Sequence, residues 1–332
     1  VFNLLCKNCL PVALLLCPIT AQCVSAQTPR SMSNDEFEQL YRDVSNWGRW
    51  GKTDQLGTLN LITATKRKQA AKLVVEGISV SLARIPEEVK AADNPDPFVQ
   101  TMLRTGSEPG NMWAVDNYSV SYHGFAHTHM DSLCHLLYRG KMYNGFSKDE
   151  ITKEGTKKLS IHNVQPGVFT RGVLIDIPAL RGVEYLSPGS PIYPDELDAW
   201  VNRAGIEIKP GDVVFFRTGR WAMRDKEGPW SVGEQGAAGL HASCGRWLRK
   251  QDMAMVGSDA AMDVMPSGVE GVTHPIHVLT LNAMGIHIFD NCDLELLSKT
   301  CAKLKRWEFL ITAAPIPVKG GTGSPLNPIA SF

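Results

Sequence analysis

Four of the nine histidines in this 332-residue chain fall within thirteen residues: His123, His127, His129 and His135, with Asp131 among them. The segment reads Tyr122-His123-Gly124-Phe125-Ala126-His127-Thr128-His129-Met130-Asp131-Ser132-Leu133-Cys134-His135. In an extended chain alternate side chains share a face. A strand over 117–131 would therefore place His123, His127, His129 and Asp131, all odd-numbered, on one side. Imidazoles at i and i+2 and a carboxylate at i+4 (His127, His129, Asp131) are within reach of one ion, and that donor mix suits Zn, Mn or Fe. Three protein ligands leave a position for water, which is the catalytic arrangement. Either His123 or His127 satisfies the same-face rule as third ligand; His127 is preferred for its closeness to His129. His135, four residues past Asp131, is expected to swing back as general acid or base, or to hold a second ion. A lone histidine usually has an ordinary hydrogen-bonded role; a cluster this dense points to metal.

A second polar group lies towards the C-terminus. His274-Pro275-Ile276-His277 opens a helix, and a strand over 285–289 presents Asp290 at its C-terminal end, where open α/β sheets place their sites. His277 and Asp290 are expected to complete the metal site. The competing reading is a helix-start histidine with a capping Asp290 or Asn291. Other motifs carry less. Gly320-Gly321-Thr322-Gly323-Ser324-Pro325 lacks the Lys-Ser/Thr of a phosphate loop and reads as a turn lining a pocket. No Gly-x-Ser-x-Gly elbow is present. Cys134 beside His135 reads as a buried thiol. Arg217 is open between an anionic substrate and a structural ion pair.

Composition excludes several classes. The 34 basic and 34 acidic side chains cancel, and no dense basic run occurs, so neither nucleic acid nor an anionic membrane is expected as partner. Apolar residues at 43% suit a globular chain with a sizeable core. Leu4 to Ala21 is apolar with Lys7 as its one charge, and Val24-Ser25-Ala26 is a small-residue cleavage site. Residues 1–26 therefore read as a secretory signal peptide, making the protein periplasmic or secreted. The rival reading is a cytoplasmic protein starting at Met32. Of eight cysteines four lie in this leader. The rest, Cys134, Cys244, Cys292 and Cys301, form no CxxC and are expected to be buried thiols.

Helices are expected at 34–43, 62–76, 194–205, 237–250, 275–284 and 293–303. Strands are expected at 78–82, 117–131, 171–177, 212–217, 253–257, 285–289 and 307–318. The elements mix without strict alternation, which defines one α/β or mixed α+β domain over 34–332.

At Thr128-His129-Met130-Asp131 and His135 the chain resembles the metal-dependent cyclase/kynurenine formamidase family, which includes arylformamidases and isatin hydrolases. The family motif is His-x-Gly-Thr-His-x-Asp-x-Pro-x-His. Gly257-Ser258-Asp259, Pro266, His277, Asp290 to Leu294 and Gly320 to Pro325 match in character, so the resemblance runs from about Trp47 to Ala330. Phe125 stands where the family has its first His, His127 where it has Gly, Leu133 where it has Pro, and Asp290 where it has a late Glu. The resemblance implies a swivelling β/β/α fold, one or two Zn or Mn ions, and a homo-oligomer (dimer or tetramer). It also implies metal-assisted attack of water on a small amide or lactone carbonyl, with His135 shuttling the proton. A metal-dependent cyclase or dehydratase, and a non-catalytic exported metal-binding protein, are the alternatives.

Overall fold

A computed structural model describes residue 1 and residues 30–332; apart from residue 1, the expected leader lies outside the described residues. The run Val213-Val214-Phe215-Phe216-Arg217 is buried along its whole length. Such a run requires a sheet covered on both faces. Its side chains alternate between two cores. Val214 and Phe216 join one apolar layer, while Val213 and Phe215 join the other.

The sheet has nine strands: β1 (Ser79–Ser81), β2 (His129–Asp131), β3 (Val168–Asp176), β4 (Val213–Arg217), β5 (Met255–Ser258), β6 (His287–Asp290), β7 (Glu308–Ala313), β8 (Gly323–Pro325) and β9 (Ile329–Ser331), in the order β1-β9-β7-β3-β4-β5-β6-β2-β8. β3, β4, β5 and β6 run parallel at the centre. The wings are antiparallel, with β7 on β3 at one side and β2 between β6 and β8 at the other. Residues 31–332 form one compact unit of the expected mixed α/β class.

Several helices stand where their end signals put them. Helix Asn34–Val44 opens with a capping box: Ser33 Oγ accepts from the Glu36 amide at 3.3 Å, and the Glu36 carboxylate accepts from the Ser33 amide at 2.8 Å. Helix Pro194–Ala204 starts on its proline and ends at Gly205 in the left-handed region. The helix expected over 237–250 is shorter, Gly245–Gln251, because Gly239–Leu240 is a short strand lying hard against the Asp263 backbone. The helix expected over 275–284 turns α-helical at Pro275–His277 and then π-helical over Val278–Met284. The reading missed helix Arg220–Glu227.

The strand expected over 117–131 is corrected. Val115–Ser119 pairs instead with Val99–Arg104 in a two-stranded hairpin, every residue of which is exposed. Only His129–Asp131 enters the sheet. Gly124, at φ +141°, holds a conformation that L side chains rarely adopt and turns the chain between them. All four remaining cysteines are buried and no disulfide links them.

Candidate metal centre

Strand pairing assembles the site. β2 sends Met130 into one core layer and so turns His129 and Asp131 to the opposite face. Asp290 of β6 lies directly across from His129, and Ile288 across from Asp131. The helix covering that face is anchored by Ile276 and Leu279, and it delivers His277. β8 runs along the other side of β2, with Gly323 opposite Asp131. A Cβ on Gly323 would lie 2.5 Å from the Met130 carbonyl oxygen and 3.1 Å from His123 Cε1, so glycine makes room here for both the strand and the ring.

Asp131 is the hub. Its Oδ1 is 3.0 Å from His123 Nδ1 and 3.3 Å from His129 Nε2. Its Oδ2 is 3.8 Å from both His135 Nε2 and His277 Nε2. His277 Nε2 is also 3.2 Å from Asp290 Oδ2. Two triads result, His123–His129–Asp131 and Asp131–His277–Asp290, each with its donor atoms within 4.8 Å of one another. They share Asp131, one carboxylate oxygen facing each.

The inner nitrogens are aimed by what holds the outer ones. His129 Nδ1 bonds the His127 carbonyl at 2.8 Å, His277 Nδ1 bonds Asp263 Oδ2 at 2.6 Å, and His123 Nε2 meets Thr322 Oγ1 at 3.0 Å. Histidine ligands are commonly oriented in this way. Asp263 also accepts from the Ile276 amide at 2.6 Å, which ties the helix start to the site. Sequence reasoning missed Asp263 and Thr322. The only trace of Thr322 was the Gly-rich segment around it, read as a turn; Gly323–Pro325 is a strand of the sheet.

The residues fit a cation. Asp131 is 0% exposed, yet neither carboxylate oxygen has a hydrogen-bond partner of normal geometry, and Asp290 Oδ1 has none either. A buried carboxylate in that state is costly unless a positive charge completes it. Burial works against ionising Asp131, but His129, His135 and His123 hold its carboxyl well below the usual range. Burial likewise opposes protonation of His277, and Asp290 and Asp263 override it, raising its pKa well above the ordinary value.

The geometry corrects the choice between His123 and His127. His123 is in the first triad; the His127 ring is in neither. The chain leaves strand geometry before His129, so the odd-number rule fails there, and His127 contributes its carbonyl to His129 instead. Its ring is buried with both nitrogens unpartnered, and burial lowers its pKa. It forms a wall between a cleft of about 290 Å³ that reaches His123 and a hollow of about 450 Å³ on the other side. The structure brings His129, Asp131, His277 and Asp290 together, and it stacks His135 on His123 with ring centroids 3.8 Å apart. Arg217 is a structural ion pair. It donates to Asp176 at 3.0 Å and to Glu295 at 2.9 and 2.8 Å.

Comparison with known proteins agrees with this architecture. Residues 50–263 match the family model described as Cyclase. A solved structure described as a novel cyclase is 30% identical with a TM-score of 0.79, covering 88% of this chain and 99% of its own. The chain therefore belongs to the cyclase family and has its fold. Isatin hydrolase A from Ralstonia solanacearum shares the fold at 23% identity and a TM-score of 0.54, covering 76% of this chain and 91% of its own. An isatin hydrolase bound to the product analogue thioisatinate does so at 18% identity and 0.54, covering 82% and 97%. No curated protein matches the chain. Among the described residues no helix is long and apolar enough to cross a membrane.

Proposed function

We propose that the chain is a metal-dependent hydrolase acting on a small amide or lactone carbonyl. The observation that carries this reading is the shared Asp131, buried with only imidazole nitrogens around its carboxylate and placed between two triads of metal-binding side chains. His123, His129 and Asp131 would hold one divalent ion, Zn or Mn, and Asp131, His277 and Asp290 a second. Such an ion supplies Lewis acidity for a carbonyl and lowers the pKa of water towards neutrality.

The protein's own residues supply the rest. His135 stands beside the shared carboxylate with its side chain 30% exposed, so it is reachable from solvent. Burial lowers its pKa to about 4, leaving a neutral imidazole at physiological pH that is able to accept a proton. We assign it the proton taken from the attacking water and returned to the leaving nitrogen or oxygen. The cleft at His123, walled by Tyr122, Phe125 and His127, is close in size to small-molecule sites.

Substrate class is tested by incubating the metal-loaded protein with isatin, N-formylkynurenine and small lactones in ¹⁸O-water. Hydrolysis places one label in the carboxylate formed, that of the ring-opened acid from isatin or a lactone and that of formate from N-formylkynurenine. Ring closure or dehydration without label would replace this reading with the cyclase one. Asp263 is a positioning residue, acting through His277. Asp263→Asn is expected to weaken metal affinity by about 10–100-fold, the usual cost of losing such a partner. Unchanged affinity in a competition titration against a chromogenic chelator would remove Asp263 from the site.

A further inference from the structure

The loop of residues 120–128 brings His123 to the site, yet it belongs to no strand or helix. Among the described residues, none of its main-chain groups bonds another main-chain group. Side chains hold it instead. Arg220 Nη2 donates to the Phe125 carbonyl at 2.6 Å, and Tyr122 Oη donates to the Gly323 carbonyl at 2.9 Å. One further residue grips the loop at three points. It is Asn291, which directly follows Asp290 at the end of β6.

Asn291 is fully buried. Its Nδ2 donates to the Gly124 carbonyl at 2.8 Å and to the His127 carbonyl at 3.3 Å. Its own carbonyl accepts from Thr128 Oγ1 at 2.7 Å. Gly124 follows His123 in the chain, Thr128 precedes His129, and the His127 carbonyl is the group that holds His129 Nδ1. Every contact thus falls on something that aims His123 or His129. The two carbonyls fix the amide's orientation, because only its NH₂ end can donate to them. Its Oδ1 is left buried without a partner, which packing alone does not explain. The backbone here is left-handed, with φ at +53°, a conformation that asparagine tolerates better than most side chains. One strand end therefore gives Asp290 to the second triad and, with the next residue, holds the loop of the first.

We infer that Asn291 is a positioning residue for the His123–His129–Asp131 triad: its amide locks the 120–128 loop to the strand that supplies the other triad. The inference rests on the metal reading above. Without that amide the first triad loses the hold on two of its three members, while Asp131, His277 and Asp290 keep theirs.

Zinc affinity tests this on the full chain, read in competition with a chromogenic chelator and carried to millimolar zinc. Asn291→Gly removes the amide and suits the left-handed backbone. In the wild-type background it is expected to weaken one zinc by about 10–100-fold, the usual cost of losing an orienting partner. In the His123→Ala background the remaining ion is held by Asp131, His277 and Asp290. There the same substitution is expected to change affinity by less than about threefold, as for independent sites. A merely structural role would weaken both backgrounds alike. Asn291→Asp keeps the shape without the donor and is expected to follow the same pattern; it replaces the glycine variant if circular dichroism shows that one unfolded. Equal loss in both backgrounds, or no loss in the wild-type one, would overturn the inference and leave the metal reading standing. A His123→Ala protein that holds no ion would also overturn it, since the triads would not be separable. A wild type that binds no zinc would overturn the metal reading itself, and the role of Asn291 with it.

Discussion

Replacing Asp131 by asparagine is expected to strip the protein of metal at both triads and to lower turnover by more than about 100-fold. The bound follows from the site's construction. Loss of a partner that merely orients a ligand costs about 10–100-fold, and Asp131 faces both groups directly, with Oδ1 towards His123 and His129 and Oδ2 towards His277. Asparagine keeps the shape and removes the negative charge and one acceptor. Metal content by mass spectrometry and turnover on the same preparation should fall together. Full metal retention in Asp131→Asn would show that the carboxylate is not shared.

The largest stability effect is expected away from the site, at Asp212. This residue is fully buried and binds Arg171 at 3.0 and 2.6 Å, the Lys209 amide at 2.8 Å and the Lys66 ammonium. It joins helix Ala64–Ala71, strand β3 and the entry to β4. Burial pulls Lys66 below its usual pKa even beside Asp212. Asp212→Asn leaves Lys66 and Arg171 facing each other without the buried carboxylate that both bind. Breaking a buried pair from one side costs about 3–5 kcal/mol. Urea unfolding should show that loss with the m-value unchanged. A loss under about 1 kcal/mol would class the cluster with exposed salt bridges.

The central pair was legible because its geometry is local. Met130 must enter the core, and a strand then turns His129 and Asp131 together to the other face. The rule held for three residues and failed beyond them, since residues 120–128 belong to no strand and a two-residue period has no meaning in a loop. His277 and Asp290 were readable as a helix start and a strand end, but their approach depends on that helix packing over β6. Asp263 and Thr322 left no usable trace. Each acts across a long sequence separation, through the register of β8 on β2 or the seating of one helix. The hairpin at 99–119 was missed for a simpler reason: with both faces exposed it has no inside to write an apolar alternation. The central strands, β4 above all, were plain because burial on both faces demands a continuous apolar run.

One comparison tests whether His123, rather than His127, holds the metal. The purified His123→Ala and His127→Ala proteins are each loaded with Zn or Mn, freed of loose ions and analysed for bound metal per chain beside the wild type. One or two ions are expected in the wild type, the same number in His127→Ala, and fewer in His123→Ala. Metal kept by His123→Ala and lost by His127→Ala, or a wild type that retains none, would contradict it.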